Sequence, residues 1–217
     1  MELTKEQLLQ IDNYLKEKKF DFIDLKIEVL DHIISDIESL VIKGYTFSEA
    51  FIMVKIRWEK HFRETSSFYF GLQFSESKIV VKKAKKIFKK YYFIYLATYI
   101  FPLILFKKIP FKVENQMGEA ISTLTRSLAV LATIYILYMV LKTTQTKVKS
   151  TYRFILKTQY LGVIFLVILT FLDSINDKDG FVNPLFASFT GAGFSALLIC
   201  NHFYKKHKEA ILKNRIS

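Results

Sequence analysis

Glu28, His32 and Asp36 recur at intervals of four, a spacing that on a helix lines an imidazole up between two carboxylates, with Asp31 beside the histidine. Such groups could relay a proton or hold a divalent ion. A closed metal site, however, draws its ligands from more than one element, and one histidine with carboxylates on a single helix supplies too few. The ridge Glu28, His32, Asp36 is therefore expected to be a polar helix face whose imidazole hydrogen-bonds a neighbour. Elsewhere no serine, cysteine or histidine constellation has the spacing of a nucleophilic or metal motif, so no catalytic residue and no cofactor are expected. Cys200 is the only cysteine, which excludes an intrachain disulfide and a cysteine cluster within one chain.

The elements that carry this ridge are legible from their caps and periodicity. Thr4 and Gln7 stand at capping-box spacing ahead of Leu8, Ile11 and Leu15, which predicts a first helix over 5–18. Ile23, Ile27, Leu30, Ile34, Ile37 and Val41 form a stripe at helical spacing that Gly44 should end, giving a second helix. Thr46 and Glu49 form a second capping box, and Phe47, Phe51, Val54, Trp58 and Phe62 are the expected buried face of a third helix. After it, Phe68, Phe70, Leu72 and Phe74 alternate, as an extended segment or short strand would.

The pattern Tyr14-Leu15, then Glu28-x-x-Asp31-His32, then Gly44-Tyr45-Thr46-x-x-Glu49-Ala50-Phe51 resembles the small helical prefix domains, of permease-prefix or HAAS type, that precede membrane regions in many bacterial proteins. The resemblance covers roughly the first 65 residues. It implies a cytoplasmic signalling or regulatory attachment without catalysis of its own. The aromatic segment Phe68 to Phe74 departs from it.

Beyond this domain the character of the chain changes. Half of all residues are hydrophobic, 51%, and 16% are aromatic, yet the mean hydropathy is only +0.22 because a charged part is joined to an apolar one. Residues 1–75 hold 10 Lys and Arg against 13 Asp and Glu, a net of −3, which leaves +15 for the rest of a chain whose total is +12. Four apolar stretches occupy about 91–106, 124–141, 154–172 and 181–204, and a helical span needs about 20 mostly apolar residues. The excess lysines crowd the ends of these stretches, which is a topology signal and not the soluble basic face of a nucleic-acid binder.

The expected architecture is therefore all-α: a cytoplasmic three-helix bundle over 1–65, an aromatic linker over 66–77, a basic juxtamembrane helix over 78–90, a four-helix transmembrane bundle over 91–204 and a basic cytoplasmic tail over 205–217. Lys82, Lys83, Lys85, Lys86, Lys89 and Lys90 are candidates for contact with anionic lipid headgroups. Lys142, Lys147, Lys149 and Arg153 mark the second loop, and Lys205, Lys206, Lys208, Lys213 and Arg215 the tail, as cytoplasmic; both termini are then inside, in the inner membrane. Pro102 should bend the first span. Arg126 should snorkel, or pair with Glu119 or Asp173. Ala187, Gly191 and Ser195 recur every four residues as a helix-packing or oligomer face.

Three classes of function follow in order. The first is a non-enzymatic signalling, regulatory or scaffold protein that uses its helical domain to meet a cytoplasmic protein partner. An oligomeric channel or membrane-disrupting effector, a homo-oligomer gated by that domain, is the alternative. A membrane-embedded enzyme ranks last, since no serine, cysteine or metal-ligand constellation has the spacing of a known catalytic motif.

Overall fold

The computed structural model describes residues 3–216; Met1, Glu2, Ser217 and the side chains at 215 and 216 lie outside the described residues. Helices dominate: α1 (Lys5–Glu17), α2 (Lys26–Ile42), α3 (Phe47–Phe62), α4 (Lys78–Lys108), α5 (Asn115–Gln145), α6 (Thr151–Lys157), α7 (Tyr160–Phe171) and α8 (Pro184–Ile216). Between α3 and α4 lies an antiparallel hairpin of β1 (Glu64–Ser67) and β2 (Gly71–Ser77), the one sheet among the described residues of a mostly helical chain. Two compact units result. Unit 1 comprises Met1–Lys86, Thr146–Phe154 and His207–Ser217, and unit 2 comprises Ile87–Gln145 and Ile155–Lys206.

In unit 1 the caps form as their sequences require. Thr4 Oγ1 accepts from the Gln7 N–H at 3.3 Å while the Thr4 N–H donates to Gln7 Oε1 at 2.9 Å, and Thr46 with Glu49 repeats both bonds at the start of α3. At the far end of α2, Gly44 has φ +98°, and its N–H and that of Tyr45 return to Val41 and Leu40. This is the paired closure of a Schellman turn. The end of α1 makes the same closure, Lys19 N–H to Lys16 and Phe20 N–H to Leu15, but there a lysine carries the positive φ, +54°.

Of the stripe expected on α2, Ile37 alone is buried, while Ile23, Leu30, Ile34 and Val41 are half-buried. Phe22, Leu25, Val29, Ile33, Ile37 and Leu40 are buried, whereas Ile27 is 60% exposed. α2 carries apolar residues on two adjoining stripes, and the one shared by α1 and α3 is that centred on Val29 and Ile33. From α1 come Ile11, Tyr14 and Leu15, and from α3 Ala50, Val54 and Trp58. Tyr14 meets Phe51 and Phe62 edge-on, with centroids at 6.0 and 5.9 Å.

The alternation at Phe68 to Phe74 does mark extended chain, but as a hairpin within unit 1 in place of a linker. Gly71 turns it with φ +86°, and the register shifts between Ser66 and Ser67. Phe70 is buried edge-on against Phe154 at 5.2 Å, while Phe68 and Leu72 stay exposed. The basic run 78–90 is the first part of α4, which continues past Tyr91 because no breaker separates the two, and Val80, Val81 and Ala84 bury its inner face. The tail beyond Lys205 likewise continues α8.

Unit 2 holds most of the apolar sequence. Three helical segments are long and apolar enough to cross a membrane: Asn115–Gln145, Thr151–Phe171 and Pro184–Asn214. The expected fourth, Tyr91 to Phe106, falls short, because four tyrosines dilute a short stretch closed by Lys90 and Lys107. Pro102 lies inside α4, which continues past it. The segment Thr151–Phe171 is interrupted between α6 and α7, where the Thr158 hydroxyl and the Gln159 side-chain amide both donate to the Ile155 carbonyl, at 2.7 and 3.0 Å. Inside the unit α5 packs on α7, and Tyr95 and Tyr99 stack on Phe165 with centroids at 5.6 and 5.4 Å.

Small residues set the closest approaches in this unit. A Cβ on Gly191 would lie 2.5 Å from the Thr98 carbonyl oxygen, one on Gly162 would meet Ala196, and one on Gly193 would lie 2.7 Å from Leu166 Cδ2. Ser195 Oγ is 2.9 Å from Thr98 Oγ1. The small-residue face at Gly191 and Ser195 thus serves packing of α8 on α4 within one chain.

Candidate functional site

α2 does not bring its ridge together as a site. Asp36 accepts from Trp58 Nε1 at 3.0 Å and faces Arg57 at 3.7 Å, tying α2 to α3. Glu28 turns the other way and binds Lys83 Nζ of α4 at 2.7 Å. That ammonium, with His32 and Lys86 adding smaller contributions, holds the Glu28 carboxyl below its ordinary range. His32 stays exposed between them. Two carboxylates already committed to different helices leave the imidazole without a shared ion to bind, and no cluster of three metal-ligating side chains forms among the described residues.

Residues that the sequence marked only as loop charges, Lys149 and Arg153, converge instead with others it did not single out. In unit 1 the segment 146–154 lies against the α1–α2 connection and the end of α8. The Ile23 N–H donates to the Lys149 carbonyl at 3.1 Å, the Thr151 N–H to Asp24 Oδ1 at 2.9 Å, and Lys149 Nζ pairs with Asp21 at 3.0 Å. Ser150 Oγ caps this segment by accepting from the Arg153 N–H at 3.1 Å, and it lies 2.8 Å from Nδ1 of His207. His207 is 1% exposed, and its Nε2 is 3.4 Å from Thr146 Oγ1. The Arg153 guanidinium donates to the carbonyls of Thr146 and Val148, both at 2.8 Å, which fixes the turn that presents Ser150. His207 stands among Lys205, Lys206 and Lys208, where sequence alone reads it as one more basic residue; its burial depends on a loop some 57 positions earlier.

The lysines proposed for lipid contact divide into two groups. Lys83 is committed to Glu28, and Lys85 lies over the Tyr69 ring at 5.0 Å. Lys82, Lys86 and Lys89 are exposed, and Lys90 lies over Tyr91 at 4.9 Å. Arg126 pairs with neither Glu119 nor Asp173: its Nε donates to the Ser122 carbonyl at 3.3 Å. Ser122 organises the loop after α7, since its Oγ donates to the Gly118 carbonyl at 2.6 Å and accepts from the Ile175 N–H at 2.8 Å. Ala187 is half-buried on α8, one turn before Gly191.

No family model matches the sequence, and neither a curated protein nor a solved structure resembles it.

Proposed function

We propose that this chain is a multi-pass inner-membrane protein without catalytic activity that signals, regulates or scaffolds through unit 1, with a cytoplasmic protein as partner and both termini in the cytoplasm, an orientation that requires α4 to cross as a fourth span beside the three apolar helices. The supporting observation is the convergence of three distant segments in that unit: the prefix-like helices, the basic loop 146–154 and the end of α8. Segments that the positive-inside rule assigns to one face of the membrane are also those that fold together. Occupation of the helical domain would bear on Ser150, His207 and Asp24, and so on the ends of α5, α6 and α8. Exposed Lys82, Lys86 and Lys89 suit the anionic surface beside which such a domain would work.

Crosslinking in native membranes followed by purification of the full chain tests this reading. Ile33→Asp places an unpaired charge in the core of unit 1 and should abolish co-purification of any specific protein partner. An identical set of captured proteins with and without the substitution overturns the proposal. The alternative, an oligomeric channel or membrane-disrupting effector gated by the helical domain, would need a self-contact face other than Gly191 and Ser195, which pack on α4.

A further inference from the structure

The connection between α1 and α2 borders an open cleft of about 660 Å³, lined by Lys16, Lys19, Lys26 and Lys149 with Asp21, Phe20, Ile23 and Ile27, and reached by Asn214 from α8. The volume is that of a small-molecule site. Its ion pairs leave charge over. Asp12 is shared between Lys16 at 2.7 Å and Lys26 at 2.6 Å, and Asp21 pairs with Lys149 at 3.0 Å. Four ammonium groups therefore meet two carboxylates, and two positive charges remain. Lys19 is exposed and has no carboxylate partner among the described residues. Its backbone has φ +54° at the turn where Gly44 serves the equivalent place on α2. A lysine there costs about 1 kcal/mol that a glycine would avoid, yet the turn carries an ammonium to the lip of the cleft. Ile27, 60% exposed, and half-buried Ile23 give the same cleft an apolar wall.

We propose that this cleft binds a small organic phosphate. A phosphate monoester carries close to two negative charges at neutral pH, which matches the uncompensated charge, and lysine ammoniums recognise it as point charges. Its organic body lies along Ile23 and Ile27. Because Lys149 belongs to the loop before α6 and Asn214 to α8, the ligand bridges all three segments of unit 1. The phosphate could belong to a free metabolite or to a lipid headgroup.

The test is isothermal titration of the full chain, held in phosphatidylcholine nanodiscs, with phenyl phosphate as probe. Saturable binding is expected, about tenfold tighter than for inorganic phosphate, which has no apolar body to place against the isoleucines. Lys19→Asn removes the charge while suiting a positive φ, and it should weaken binding about tenfold. Lys43→Asn, exposed and outside the cleft, should leave it unchanged. A parallel titration with a short-chain phosphatidic acid below its micellar concentration identifies the source: the tighter of the two probes names free phosphate or lipid. Absence of saturable binding by either probe overturns the proposal, as does equal binding by wild type and Lys19→Asn when circular dichroism shows both folded. A captured protein partner is neither required nor excluded by these outcomes, so this site and the partner reading fail separately.

Discussion

Asp36, expected to be one carboxylate of a polar helix face, is the acceptor for the α3 indole, a partner that its spacing to Glu28 and His32 does not announce. The Trp58 Nε1 bond at 3.0 Å is part-buried, and losing such a bond costs about 0.5–1.5 kcal/mol. Trp58→Phe should therefore lower the unfolding free energy by at least that amount, with a further loss of packing, whereas Asp36→Asn, which keeps a carbonyl acceptor, should cost less. Denaturant unfolding of the full chain in detergent measures both, and equal losses would contradict the assignment. Asp12 gives a pH signature. Hydrogen bonds from Lys16 and Lys26 hold its carboxyl below the ordinary 3.8. Its contribution is thus fully present above that value and lost as pH falls through the lowered one. The stability difference between wild type and Asp12→Asn should be flat near neutrality and shrink below about pH 4, from a plateau of about 1 kcal/mol or less given solvent screening. Acid titration of both proteins checks it; a difference that persists to the lowest pH would refute the pairing.

At the scale of elements, caps and closures were the most legible features because they are local: Thr4, Gly44 and Thr46 act on neighbours within a few residues. The buried side of α2 was less so, since two apolar stripes compete and only the positions of α1 and α3 decide between them. The hairpin was visible as alternation, but nothing in Phe68 to Phe74 distinguishes buried Phe70 from exposed Phe68 without Phe154 opposite. Among the apolar helices, Gly191 carries the sharpest expectation. Its missing Cβ lets the Thr98 backbone approach, and backbone cannot swing aside as a flexible side chain can. Gly191→Ala should cost about 1–3 kcal/mol by overpacking, read as a lower midpoint of thermal unfolding in detergent. An unchanged midpoint would mean that α4 and α8 are not this close.

At the scale of the whole molecule, membrane crossing must respect which segments fold together. Ser48, Lys147 and Lys213 all belong to unit 1, and Asp177 belongs to a loop of unit 2. With buried Cys200 replaced by alanine, single cysteines at Ser48, Lys147 and Lys213 should share one labelling behaviour toward a membrane-impermeant reagent in intact cells, protected until the cells are opened. A cysteine at Asp177 should label in intact cells. Divergence among the first three would break the compact unit, and uniform labelling of all four would remove the crossing between them.

The sequence by itself determined the helical character, the capped boundaries and the division into an acidic, amphipathic part and a basic, apolar one, because hydrogen bonding within a turn and partition into lipid depend on nearby residues and on composition. It did not determine how many of its apolar stretches are fit to cross a bilayer: a stretch rich in tyrosine between lysines lies at the margin of that test. Nor could it bring Asp24, Ser150 and His207 together, or gather four lysines around one cleft. Those groups are separated by up to about two hundred positions and meet only because the chain returns to unit 1 twice, so tertiary structure alone decided their chemistry.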